Sequence, residues 1–378
     1  MPLMPAERAR TRLESLAVAG LDVPTFSTAA AEVLRSALPY TAACFAPVDP
    51  ATEILTSTVK WGGLTNDEDE IWAYHEYERE DLYDFRDVLR RPGMVLSIRH
   101  ETEDDPRRSP RFEQFYEPTY GFADELRAGC RVDGVTWGFF ALFRDGGGAF
   151  TPAEHAFISS IAPAFALGFR TGILAGAPEA VVAATEGPGV IVVDTAGDVV
   201  QANPAAHARV ADLLDGIGGL DAGPLPFSLR ALVGSARMLA EGRTPRIPRA
   251  RLRTRSGQWV VAHASPLLSR DGTGTDVVVT IEEARPPEIV PLIVAAFGLT
   301  QREQDVVALV LRGVDTAEIA RSLHLSAYTV QDHLKSIFVK VGVRSRRELT
   351  AKVFFDQYAP RLAAQEAVGP SGWFTPSA

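Results

Sequence analysis

Four side chains in the stretch LSAYTVQDHLKSIFVKVGV, Leu325 to Val343, have the types and spacing to do chemistry on a polar surface. Tyr328, Gln331, Asp332 and Lys335 recur at i, i+3, i+4 and i+7, which is one face of a helix. Each ends in a group that donates or accepts hydrogen bonds. The opposite face, Val330, Leu334, Ile337, Phe338 and Val341, is an apolar stripe meant for a core. A merely solvated helix has the same make-up, so the rest of the chain must say what this face is for.

Other constellations offer no competing chemistry. There is no GxxxxGK[ST] loop, and Gly146 to Gly148 lacks the lysine that grips a phosphate. No GxSxG supplies a nucleophile, and the N-terminal segment has no paired acids at the end of an early strand for phosphoacceptor chemistry. His75, His155, His207 and His263 are scattered without ligand spacing, and Cys44 and Cys130 form no CxxC. No catalytic residue, metal or cofactor is expected.

Composition sets the frame. The 378 residues are 46% hydrophobic and 23% charged, enough for two or three globular domains. The net charge of -10 is unevenly spread: Phe297 to Phe355 holds nine Lys/Arg against six Asp/Glu, a local +3, leaving 29 against 42 elsewhere. An acidic body with a nucleic-acid-binding end would show this asymmetry, and so would a mixed solvated surface. Two cysteines suggest a reducing compartment. The start MPLMPAERARTRLESL lacks the apolar core of a signal peptide, and no run approaches the ~20 apolar residues of a membrane span, so a cytoplasmic protein without membrane contact is expected.

The elements that must position the polar face follow from punctuation. Ala175 to Glu179 and Ala284 to Glu288 break the periodic runs and divide the chain in three, with no internal repeat. In the first part, TAACFAPVDPATEILTSTVKWG reads as two strands and IWAYHEYEREDLYDFRDVLRR as a helix. MVLSIRH reads as a strand, RFEQFYEPTYG as a helix ending at its proline, and DELRAGCRVDGVTWGFFALFR as a hairpin turning at Asp133-Gly134. Thr151, Pro152 and Glu154 then start a long helix. In the second part, GVIVVDTAGDVVQANPAAHARV gives strand, turn, strand and a helix entered at Asn203-Pro204. Three more strands turn at Ser256-Gly257 and Asp271-Gly272, and the helices between look short. In the third, Thr300 with Glu303 and Ser345 with Glu348 form capping boxes, Asp315 and Ser326 are N-caps, and Gly313 and Gly342 end helices.

The third part, with LTQRE, EIARSL, LSAYTV, DHLKSIFVKVGV and SRREL in register, resembles the LuxR-type helix-turn-helix domain almost end to end. WGFFALFR followed by TPAEHAFISSIA resembles a GAF domain, and GVIVVDTAGDVVQANPAA resembles the opening of a PAS domain. The expected fold is therefore α+β: a GAF-like domain over 10–175 and a PAS-like domain over 180–284, both built on antiparallel sheets. A linker over 285–296, an all-α four-helix LuxR-type domain over 297–358 and a tail over 359–378 complete it.

The resemblance implies double-stranded DNA as partner, a homodimer, and possible contact with RNA polymerase. It places Gln331, Asp332 and Lys335 at base edges, with lysine suited to guanine, glutamine to adenine and aspartate to cytosine. It places Ser326, Thr329, His333, Lys340 and Arg344 near phosphates. Asp332 stands where many relatives carry an apolar or basic residue. Control is expected from the N-terminal part, where Trp61, Trp72, Tyr74, Tyr116, Arg127 and Trp137 could line a pocket for a small apolar or aromatic ligand. A filled aromatic core would read the same way. Two N-terminal domains that only dimerise or hold a protein partner are the alternative function.

Overall fold

A computed structural model describes residues 5–355 except 147, 176–186, 217–218, 221–224, 246 and 269–274. Two compact units emerge, one carrying both sheets and their helices, the other the C-terminal helices.

The first sheet uses β1 (Ala42–Pro47), β2 (Val59–Trp61), β3 (Val95–Ser97), β4 (Asp124–Val132) and β5 (Val135–Arg144) in the order β2-β1-β5-β4-β3, every neighbour antiparallel. The hairpin between β4 and β5 turns where Asp-Gly demands it, with φ of 52° at Asp133 and 78° at Gly134. Helices α1 (Pro5–Ala17), α2 (Val23–Arg35) and α7 (Pro152–Leu174) belong to the same body, and Phe165 of α7 stacks on Phe45 of β1 at 5.6 Å. Thr151 caps α7 as expected, its side chain taking the Glu154 N–H while Glu154 takes the Thr151 N–H. By length and composition α7 could cross a membrane, contrary to the expectation that no run comes close. Ile158, Ile161, Phe165 and Phe169 are buried, which explains its apolarity as that of a core helix.

The helical connections depart from the sequence reading. The long helix expected over Ile71 to Arg91 is broken into α3 (Asp69–Ala73), a π-helical turn at Tyr74–Glu78 and α4 (Phe85–Val88). Arg79 is already extended, and Asp84 caps α4 as a new start. The strand MVLSIRH ends at Ser97 and gives way to α5 (Ile98–Glu101). Pro118 does not end its helix: after a π turn at Phe112–Tyr116 it sits in the first turn of α6 (Glu117–Tyr120), where its missing N–H is not needed.

The second sheet uses β6 (Gly189–Val193), β7 (Val199–Ala202), β8 (Arg249–Arg253), β9 (Trp259–Leu268) and β10 (Thr275–Glu283) in the order β7-β6-β10-β9-β8. This repeats the strand order of the first. Asn203 caps α8 (Pro204–Asp212) as read. The middle is not short of helix: α9 (Phe227–Ala240) runs 14 residues, and the half-buried Asp215 carboxylate takes the Ser228 N–H at 2.8 Å at its start. The Asp271-Gly272 turn, most of the Ala175 to Glu179 boundary and the tail lie outside the described residues.

Within this unit α9 is held against the first sheet's connections. Arg237 pairs with Glu78, Arg230 with Glu70 at 3.2 Å, and Arg251 of β8 with Asp49, whose carboxylate also takes the Arg251 N–H at 2.9 Å. Gly234 allows the approach, since a Cβ there would lie 2.5 Å from Tyr77 Cβ.

Candidate nucleic-acid interface

The helical unit is built from α10 (Pro286–Ala296), α11 (Gln301–Leu311), α12 (Thr316–Ser322), α13 (Ala327–Val341) and α14 (Arg346–Phe355). The segment read as a linker is thus a helix, α10, with Pro286 and Pro287 in its first turn and Val294 in the same core as α11 and α13.

Caps fix where each helix starts. The Thr300 side chain takes the Glu303 N–H, Asp315 that of Glu318 at 2.8 Å, and Ser326 that of Thr329 at 3.0 Å. Gly342 closes α13 in the left-handed region with φ of 73°. The Ser345 capping box is shifted by one: Ser345 takes the Glu348 N–H at 3.1 Å, but the Glu348 carboxylate takes the Arg344 N–H at 2.8 Å. Between α12 and α13, His324 adopts φ of 54° and Leu325 N–H reaches back to Ala320 O at 2.8 Å. A histidine in this conformation carries no strong sequence signal, and the sequence reading missed it.

The two faces of α13 separate as their residue types demand. Val330, Leu334, Ile337 and Val341 are buried, while Tyr328 is 75% exposed and Gln331, Asp332 and Lys335 are exposed beside it. Lys335 Nζ lies 3.3 Å from the Asp332 carboxylate, an exposed i,i+3 pair. Ser326 and Arg344 are exposed, at the start of α13 and just beyond its end; Thr329 and His333 are half-buried. One apolar side chain, Val339, is 83% exposed on this helix.

Lys340 has an internal partner. Its Nζ donates to Glu303 Oε2 at 2.6 Å, and Ser336 Oγ donates to Oε1 at 2.6 Å, so the buried carboxylate ties α13 to the start of α11. Burial raises the Glu303 carboxyl, but hydrogen bonds from Lys340, Ser336 and Thr300 outweigh it and bring it down to about 2. The sequence marked Glu303 only as a cap. Arg346 makes a second tie, from α14 to Val314 O at 2.9 Å and Thr316 Oγ1 at 2.8 Å.

The candidate ligand residues do not share one site. Trp72 and Tyr116 pack at 4.9 Å between ring centroids, with Phe115 and Phe143 against Trp72, as parts of the buried core. Arg127 is buried beneath them, donating to Glu76 at 2.7 Å and Glu125 at 2.8 Å and facing the Phe85 ring at 4.0 Å. Trp61 lies against Tyr40, Tyr74 is 43% exposed, and Trp137 is buried on β5. The Cys44 thiol is buried and pushed up to about 12 by that burial. Among the described residues no group of His, Cys, Asp and Glu side chains could hold a metal ion.

A capped pair of helices joined by a tight turn, the second with a free polar face, defines a helix-turn-helix unit, and residues 298–353 match the GerE family, bacterial regulatory proteins of the luxR family. The chain carries a LuxR-type helix-turn-helix domain. It is 36% identical over 59 residues to the HTH-type transcriptional regulator MalT of Yersinia pestis, and 45% over 52 residues to an HTH-type transcriptional regulator of Mycobacterium bovis. Those matches cover 16% and 14% of this chain and 6% of each relative, so the chain spans about 6% of the length of the curated relatives it matches. Among solved structures, the phage VqmA–DPO complex is 21% identical, covering 50% of this chain and 88% of that one with a TM-score of 0.24. A VqmA–ligand–DNA complex from Vibrio cholerae is 20% identical, covering 47% and 83%, with a TM-score of 0.22.

Proposed function

We propose that the protein is a DNA-binding transcriptional regulator whose α13 enters the major groove. The observation that carries this reading is the division of α13 into a buried face and an exposed face of Tyr328, Gln331, Asp332 and Lys335, placed one tight turn after α12 in a LuxR-type domain. Such a second helix lies in the groove while the first braces on the backbone. Lys335 and Gln331 then meet base edges. Ser326, Thr329, His333 and Arg344 lie within reach of phosphates, and Lys340 does so only at the cost of its Glu303 partner. The regulator acts as a homodimer in the cytoplasm, with RNA polymerase as a further partner and no catalytic role.

The N-terminal unit is read as the controlling part. Its two bodies are GAF-like and PAS-like in their elements, and since both sheets share one strand order, the different names rest on the helical connections. Control acts through a small molecule that favours one arrangement of the chain over another, with a coupling of about 1–3 kcal/mol. Selection from a random duplex library with the full chain tests the reading. A two-fold site with half-sites about one helical turn apart is expected, and failure to enrich any sequence contradicts it.

A further inference from the structure

Helix α13 carries two side chains that neither its core nor its helical form explains. Val339 is 83% exposed and Tyr328 75%, the two most exposed large hydrophobic side chains among the described residues, and no other in the described helical unit is exposed. One such side chain on a surface needs no explanation. These two share a line: at about 100° per residue, Tyr328, Asp332, Lys335 and Val339 fall within a sector of about 60°. Nor does Val339 favour the helix, since a β-branched side chain holds one less well than alanine.

We infer that Tyr328 and Val339 select thymine, each packing on a thymine 5-methyl group at one of two positions in every half-site. The inference rests on the reading of α13 as the groove helix and names what the apolar part of its face recognises. In the major groove the base edges of A·T and G·C pairs offer donors, acceptors and one apolar feature, the thymine methyl, whose partners are apolar side chains. Gln331, Asp332 and Lys335 meet the donors and acceptors and leave that methyl unread. A phosphate offers only acceptors, for which Val339 has no donor.

The spacing gives the two positions a separation. Tyr328 lies in the first turn of α13, the end of such a helix that contacts base edges, and Val339 lies in the last turn. Eleven residues of helix span about 16 Å, which for a helix tilted to a duplex rising about 3.4 Å per base pair corresponds to about three to five base pairs. Asp332 and Lys335, paired at 3.3 Å, stand between the two apolar ends and face the interval.

The test uses the full chain and the duplex selected from the random library, with each thymine replaced in turn by uracil, which removes the 5-methyl group and nothing else. In the wild type, two thymines per half-site, about three to five base pairs apart, should each lose about fourfold in affinity on replacement, the worth of one buried methyl. Val339→Ala should make one of them indifferent to uracil, and Tyr328→Ala the other. Both positions are exposed, and circular dichroism establishes that the variants fold. A pattern unchanged in one variant removes that side chain from the assignment. A wild-type chain that binds the selected duplex tightly yet ignores every uracil overturns the inference and leaves the DNA reading standing. A uracil pattern unchanged in both variants also overturns it, and altered sedimentation of those variants would give the stripe to contact between copies instead. Failure of the library to enrich any duplex overturns the DNA reading itself, and this inference with it.

Discussion

Removing the Glu303 charge separates two roles that Lys340 could have. With a folded value of about 2 against an ordinary 4.5, the carboxylate favours the folded helical unit by about 2–3 kcal/mol, allowing for a Lys340 that is a third exposed. Because the folded value lies below the unfolded one, this contribution is complete above about pH 4.5 and is lost as the pH falls toward 2. In Glu303→Gln, hydrogen exchange read by mass spectrometry on the full chain should accelerate in α11 and α13 peptides by roughly 30- to 150-fold at pH 7. The acceleration relative to wild type should shrink as the pH approaches 2. Lys340→Met leaves the carboxylate buried without its cation and should accelerate the same peptides. Were Lys340 a phosphate contact alone, Lys340→Met would instead lower the salt slope of DNA binding by about 1 and leave exchange untouched. Wild-type exchange in both variants would refute the tie.

Three further outcomes are expected. Asp332→Asn should release Lys335 from a pair worth about 0.2–0.5 kcal/mol and remove a carboxylate from the face turned toward DNA, strengthening binding and altering base preference; titration against variant duplexes reads both. Val353→Asp should destabilise the helical unit by several kcal/mol, on the order of the cost of an unpaired buried charge, because Leu349 and Val353 are covered within their own core; circular dichroism melting is the check, and a variant that stays as stable as the wild type would contradict that burial. Asp49→Ala should remove the carboxylate that pairs with the Arg251 guanidinium, only 11% exposed, and be seen as faster exchange in β8 and in the loop after β1.

What was legible in the sequence was what short-range chemistry decides. Thr151, Asn203, Thr300, Asp315 and Ser326 cap their helices through bonds reaching two or three residues, and Asp133-Gly134 turns its hairpin because few other pairs tolerate positive φ twice. The exposed face of α13 was equally plain from its period. Connections decided by distant partners were not. Nothing between Ile71 and Arg91 announces a π turn, whereas Asp81, held by Ser109 and the Arg111 N–H, draws the chain out of a helix. Arg127 looked like a polar tip in an aromatic pocket, because its two carboxylates, Glu76 and Glu125, are named only by the fold. The shared strand order of the two sheets is likewise silent in the sequence, since it lies in hydrogen-bond pairing and not in residue identity.

The claim that α13 reads the major groove is tested most directly by methylation interference on a selected duplex, comparing the wild-type chain with Lys335→Ala. Methyl groups on guanine N7 lie in the major groove and those on adenine N3 in the minor groove. Interference by guanine methylation is expected in two patches about one helical turn apart, with one guanine per half-site losing its effect in Lys335→Ala. Interference confined to adenine N3, or a guanine pattern identical in the two proteins, would contradict the assignment of α13 and its exposed face.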